Sequence, residues 1–194
     1  MAAARKIEEL AYTYKMYCEM PDDGNRYEII DGVPRMMAAP NRQHQGVLGS
    51  IYARLYNFLR GWPCRVYASP FDVRLSLYGD FGDDAINVVQ PDVMVFCDRT
   101  KLDDKGAIGP PDIAVEVISP SSAKNDRYRK FRLYEKAGVR EYWIVDGVNE
   151  TVEVYALQNG KFSLNALFGS GDSIKSTVLE GLEIDVAAVF LDAE

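Results

Sequence analysis

The chain has 194 residues, with 22 Lys plus Arg against 29 Asp plus Glu and a net charge of −7. Its 47% hydrophobic and 26% charged residues are those of an ordinary globular protein, neither disordered nor fibrous. Taken as an average, that acidity argues against nucleic acid or an anionic membrane as a partner. The length suits one domain around one sizeable core, expected over 1–194. The longest apolar runs are strand-sized, well short of the ~20 residues a membrane span needs. The opening MAAARKIEELAYTYK carries acids where a signal peptide has its apolar stretch, so a cytoplasmic protein is expected. Three cysteines, Cys18, Cys64 and Cys97, show no metal or redox spacing and are expected to be reduced, mostly buried thiols. A single histidine, His44, disfavours zinc.

In chain order, residues 5–18 read as a weak helix closed by the turn Pro21-Asp22-Asp23-Gly24. Tyr27–Ile30 and Val33–Met37 flank Asp31-Gly32, a two-residue hairpin signal. Asn41 caps a helix reaching about Leu59, with Val47, Leu48, Ile51, Leu55 and Phe58 at helical spacing. Strands are expected at 65–69, 72–77, 87–96 and 112–118, with a polar loop at 98–111. Ser119-Pro120-Ser121-Ser122 ends the last strand and caps a helix over about 123–137, which Gly138 closes. Further strands follow at 141–145, 151–157, 162–168 and 173–178. This order predicts an α/β (α+β) fold, a sheet with helices packed on it.

The chemistry concentrates in residues 87–146. Alternation through the strand 112–118 puts Ile113, Val115 and Val117 on one side and Ala114, Glu116 and Ile118 on the other. Glu116 therefore sits in a core strand, where a carboxylate is costly unless paired or bound to metal. Asp92 follows Pro91 in another apolar segment. Pro91 has no N–H and marks a strand entry, so Asp92 is expected near a strand end. Two acids in adjacent strands suit a hard divalent cation such as Mg²⁺. On the next helix Lys130 projects into the apolar arc of Phe131, Leu133, Tyr134 and Ala137, while Arg129, Arg132 and Lys136 point away. An inward lysine either pairs with an acid or holds or deprotonates a water beside the metal. His44, in the first turn of the long helix, is a candidate for a phosphate or proton role.

Gln90-Pro91-Asp92-Val93 followed by Pro111-Asp112-Ile113-Ala114-Val115-Glu116-Val117-Ile118 resembles motifs II and III of the PD-(D/E)XK nuclease superfamily. The run Lys130-Phe131-Arg132-Leu133-Tyr134 to Glu141-Tyr142-Trp143-Ile144-Val145-Asp146 narrows the resemblance to a large family of restriction-endonuclease-like bacterial proteins. Tyr27-Glu28-Ile29-Ile30-Asp31-Gly32 and the Pro40…His44 segment are similar to that family's N-terminal signature. The resemblance implies a mixed sheet flanked by helices and phosphodiester hydrolysis with Mg²⁺ or Mn²⁺, DNA being the expected nucleic acid and a homodimer the assembly for cutting both strands. It carries over Asp92 and Glu116 as metal-binding acids and Glu28 as an N-terminal acid of the site. Ile118 stands where the superfamily motif has its lysine, and Lys130 is the relocated lysine. A catalytically inactive nucleic-acid-binding or assembly module is the alternative on the same fold. A structural protein keeping these residues as a buried ion-pair network is a third reading.

Charge is unevenly spread: +4 over 42–78, −6 over 79–123, +5 over 124–140 and −8 over 141–194. The expectation is a basic rim, drawn from the two positive segments, around an acidic centre.

Overall fold

The computed structural model describes residues 11–120 and 122–191. Residues 5–10 of the first expected helix lie outside the described residues, and its remainder is a short helix α1, Tyr14–Cys18, capped by the Thr13 hydroxyl. Strands β1 (Tyr27–Ile30) and β2 (Val33–Met36) form the expected hairpin. Asp31 and Gly32 between them both adopt positive φ, 51° and 73°, as a tight two-residue connection requires. Gly32 is also packed closely, since a Cβ there would come within 2.6 Å of Ala11 Cβ. Helix α2 spans Arg42–Phe58, and its Asn41 cap accepts the His44 N–H at 2.8 Å.

The segment expected as one strand over 87–96 is two. Val88–Val89 is β5 and Val93–Phe96 is β6, and they belong to different sheets. Gln90-Pro91-Asp92 carries the chain across, because Pro91 offers no N–H to continue either ladder. Three further strands precede or follow this crossing: β3 (Arg65–Ala68), β4 (Val73–Arg74, shorter than the 72–77 expected) and β9 (Ile113–Ile118). The polar loop 98–111 folds into a small hairpin, β7 (Leu102–Asp103) and β8 (Gly106–Ile108), that the sequence did not announce.

After β9 a widened, π-helical turn over Asn125–Lys130 leads into α3, Phe131–Ala137, which ends on Gly138 at φ 87°. Strands β10 (Glu141–Asp146), β11 (Thr151–Gln158) and β12 (Lys161–Phe168) follow as expected. A ribbon of β13 (Ser173–Lys175) and β14 (Glu183–Asp185) and a helix α4 (Val186–Leu191) complete the described chain.

One sheet runs β2-β1-β5-β4-β8-β7 and the other β12-β11-β10-β9-β6-β3. In the second, β9 and β10 are parallel and joined through α3, while the other pairs are antiparallel, so the fold is mixed α+β. Alternation in β9 falls as the sequence indicated. Ile113, Val115 and Val117 pack with Trp143 and Val145 beneath Val47, Ile51 and Leu55 of α2. Ala114 and Ile118 share the other face with Met94, Ile144, Leu133 and Tyr134, and with Ile30, Val73 and Val89 of the first sheet. Glu116 is on this second face, between helix and sheet.

The cysteines differ from expectation. Cys64 and Cys97 are joined as a disulfide and Cys18 is exposed. Arg65 pairs with Phe96 in the β3–β6 ladder, so the flanking cysteines meet across the strands although distant in sequence. Among the described residues no helix is long and apolar enough to cross a membrane.

Candidate active site

Glu28, His44, Asp92, Glu116 and Lys130, the five residues singled out from sequence, all line one cleft of about 680 Å³. Asp92 and Glu116 are brought together by strand register. Val93 of β6 pairs with Val115 of β9, so the residues just beyond, Asp92 and Glu116, come opposite one another. Asp92 Oδ2 accepts the Val117 N–H at 2.8 Å and lies 3.1 Å from His44 Nε2. The Asn41 cap that starts α2 thus also sets where the imidazole emerges.

Glu116 and Lys130 are each only 3% exposed. Glu116 Oε1 accepts from Lys130 Nζ at 2.8 Å and from the Tyr134 hydroxyl at 2.7 Å. Lys130 Nζ is also 2.8 Å from Glu28 Oε1, so the ammonium bridges two glutamates from different sheets. Glu28 Oε1 in turn accepts the Gln90 N–H at 2.8 Å. The Gln90 side chain is fixed by Arg26, by Asp72 at 2.8 Å and by Tyr17 at 3.2 Å. The lysine reaches the acids across the strand–helix corner, as the helical spacing predicts.

Sequence reading missed Tyr134 as a polar contact, Asp126 as a buried acid and Gln90 as a bracket. The signal for the first two was present: Asp126 and Tyr134 lie four residues either side of Lys130 and share its helical face. The widened turn lets the Asp126 carbonyl accept from the Tyr142 hydroxyl at 3.1 Å.

Burial pushes the Glu116 carboxyl well above its ordinary pKa; Lys130 opposes this, while Asp126, Asp92 and Glu28 add to it. Asp126 is raised for the same main reason, burial, with Lys130 again opposing. For Lys130 burial works against the charged form, but Glu116, Glu28 and Asp126 outweigh it and hold its pKa well above the usual lysine value. The surrounding carboxylates thus favour its charged form. Burial likewise disfavours a charged His44, yet its hydrogen bond to Asp92 and the charges of Asp92 and Asp126 raise its pKa.

Among the described residues no three His, Cys, Asp or Glu side chains form a ready metal cage. The donor set nevertheless fits a hard divalent cation. Asp92 Oδ1, just before β6, and Glu116 Oε2, on the adjoining β9, accept no hydrogen bond among the described residues. Mg²⁺ commonly takes one or two carboxylates and fills its shell with water and phosphate oxygens. Buried charge agrees, because four buried acids (Glu28, Asp92, Glu116, Asp126) share one buried lysine, the arginines of the cleft being less buried, and a cation would relieve that excess.

The basic rim is composed differently from expectation. Its arginines are Arg26, Arg35 and Arg129, and none comes from the positive segment 42–78. Three of the five arginines there are engaged elsewhere: Arg74 with Asp103, Arg65 with the Trp62 and Cys64 carbonyls, and Arg54 with Ser50 and Ala188.

With this geometry in place, the sequence profile of the Uma2 family, described as “Putative restriction endonuclease”, matches residues 14–187. The chain belongs to that family. The match spans every element from α1 into α4, including all five residues at the cleft. A curated relative, an uncharacterized Synechocystis protein (slr1290), is 27% identical over 131 residues, 67% of this chain. The matched stretch spans 65% of that relative's length. The crystal structure of a “putative nuclease belonging to DUF820” from Anabaena variabilis superposes with a TM-score of 0.72 at 18% identity. The alignment covers 94% of this chain and 99% of that one, and it establishes the Uma2 chain's fold as the same.

Proposed function

We propose that this Uma2 protein is a nuclease that hydrolyses phosphodiester bonds in DNA, using Mg²⁺ or Mn²⁺ held by Asp92 and Glu116. One observation carries the reading. Two carboxylates, Asp92 just before β6 and Glu116 within β9, each keep an oxygen free at a cleft, beside a buried lysine that bridges two glutamates. A divalent ion bound there supplies Lewis-acid stabilisation of the charge that develops on the phosphate.

The chain's own residues do the rest. Lys130 has three N–H bonds and spends two on Glu28 and Glu116, leaving one for a water or phosphate oxygen in the cleft. Because two glutamates at 2.8 Å favour its charged form, its role is to orient and stabilise and not to take the water's proton. Tyr134 and Lys130 together fix Glu116 Oε1 and so aim Oε2. His44 holds Asp92 through Nε2 and leaves Nδ1 unpaired at the cleft.

The test is cleavage of single- and double-stranded DNA and of RNA with Mg²⁺ or Mn²⁺, comparing wild type with Asp92→Ala purified in parallel. Metal-dependent cleavage that chelator and the substitution both abolish is the expected result. Equal activity in the two preparations would mean contamination and would defeat the reading. On supercoiled plasmid, a lone copy yields nicked circles, whereas a homodimer cutting both strands yields linear product.

The bridging of Lys130 between two glutamates favours one other reading, a non-catalytic nucleic-acid-binding module that keeps the ion pairs for stability. It expects salt-sensitive binding, indifferent to chelator, with no cleavage.

A further inference from the structure

Four buried polar side-chain atoms among the described residues find no hydrogen-bond partner: Arg35 Nε, His44 Nδ1, Asn87 Nδ2 and Asn125 Oδ1. Three of those four residues, Arg35, His44 and Asn125, line the same cleft. Buried polar groups are normally satisfied, and an orphan costs stability, so their gathering in one place calls for a ligand. Arg35 is the most telling. Strand register sets it opposite Glu28, yet Glu28 Oε1 is committed to Lys130 and Gln90, and no carboxylate pairs with Arg35 among the described residues. Arg129, exposed on the π-helical turn and expected from the helical spacing to point away, instead lines the cleft and is likewise without an ion pair among them.

We propose that Arg35, with Asn125 and Arg129, forms a phosphate-binding subsite beside the acid pair, which grips a backbone phosphate next to the one being cut. The proposal rests on reading the cleft as a nucleic-acid site and adds the residues that hold the strand. The ligand chemistry follows from the donors. A guanidinium fork matches two phosphate oxygens in one plane, and the Asn125 amide, turned over, presents its NH₂ to the same space. The floor is too acidic to hold an anion by itself, so the cationic donors must sit on the wall. That is where Arg35 (β2) and Arg129 (the π-helical turn) are found. Arg35 is half-buried with its Nε buried and unpartnered, so its guanidinium is available to a ligand in the cleft.

The test is binding without hydrolysis: fluorescence anisotropy of a short labelled single-stranded oligonucleotide in the presence of chelator, with wild type, Arg35→Met, Arg35→Lys and Arg129→Ala. Arg35→Met should weaken binding roughly tenfold, the loss of one charge-assisted group. It should also flatten the slope of log K against log salt by about 0.7. Arg35→Lys keeps the charge without the fork and should fall between. Thermal unfolding of Arg35→Met at or above the wild-type temperature is expected, since an unsatisfied buried group has been removed. A marked fall in that temperature would reveal a structural partner and overturn the proposal. Unchanged affinity in both Arg35 variants, or no binding by wild type, would overturn it as well. Displacement by inorganic phosphate as readily as by unlabelled strand would assign the subsite to a free anion and overturn the strand. Because no bond is cut, Arg35-dependent binding without metal-dependent cleavage would defeat only the nuclease reading.

Discussion

Glu116 and Glu141 are both buried glutamates in neighbouring parallel strands of one sheet, and they have opposite fates. Glu141, fully buried, is closed on both oxygens. Oε1 accepts the Trp143 indole N–H at 2.6 Å, and Oε2 accepts the Thr177 N–H and hydroxyl, each at 2.6 Å. Glu116 has one oxygen held by Lys130 and Tyr134 while the other opens on a cleft. The protein completes the first acid's hydrogen bonds and leaves the second acid's incomplete. Burial alone therefore does not set a candidate carboxylate apart; an unfinished hydrogen-bond shell facing a cleft does.

Exchanging each for glutamine should separate them most sharply. Glu116→Gln should lower metal-dependent cleavage on the order of 10²-fold or more. Its unfolding free energy should stay within about 1 kcal/mol of wild type, because Lys130 keeps Glu28. Glu141→Gln should do the reverse, setting an NH₂ against the Trp143 or Thr177 donors. It should cost about 1–3 kcal/mol, with activity per folded molecule unchanged. Denaturant unfolding beside the cleavage assay checks both, and a destabilised, active Glu116→Gln would erase the distinction.

A smaller effect should follow from Tyr134→Phe, which removes one of the two donors that aim Glu116. Activity should drop about tenfold, as for partners that orient a metal-binding group, and half-maximal activity should need more Mg²⁺. A drop unaffected by metal concentration would place Tyr134 in packing alone.

The smallest effect concerns how the lysine-bearing turn is fastened. Arg127 in that turn pairs with Glu153 of β11 at 2.6 Å. Burial raises the Glu153 carboxyl, but hydrogen bonds from Arg127 and Tyr155 outweigh it and hold the pKa below 4.5. A depressed folded pKa stabilises above the unfolded value and loses that contribution as pH falls through the folded one. The unfolding temperature of wild type should thus exceed that of Glu153→Gln near neutrality, and the gap should close as pH drops below about 4.5. A gap constant across that range would show that the pair's charge contributes nothing.

Much of this site is legible from sequence because its acids violate the pattern around them. Glu116 stands out in an apolar strand, Lys130 in an apolar helical arc, and Pro91 announces a break before Asp92. The hairpin at Asp31-Gly32 and the Asn41 cap are equally explicit, since each is fixed by one or two residues with narrow conformational demands. Other parts are illegible for physical reasons. Strands as short as β7 and β8 hold too few residues to show a period. Glu141 looks like Glu116 in sequence, since the donors that close it come partly from Thr177, far along the chain. Arginine counts also mislead, because Arg54 and Arg74 are engaged by contacts that only the fold creates.

The crossing at Gln90-Pro91-Asp92 bears on when the site comes into being. Glu28 comes from one sheet, Asp92 from the passage between sheets, Glu116 from the other sheet and Lys130 from the turn after it. No single hairpin or helix assembled early contains two of the proposed metal-binding acids, and their pairing needs strands separated by the whole 98–111 excursion. Such non-local pairings form late, after the loops between them have closed. A newly made or partly unfolded chain would therefore hold no competent centre. A destructive activity would be confined to molecules that had finished folding.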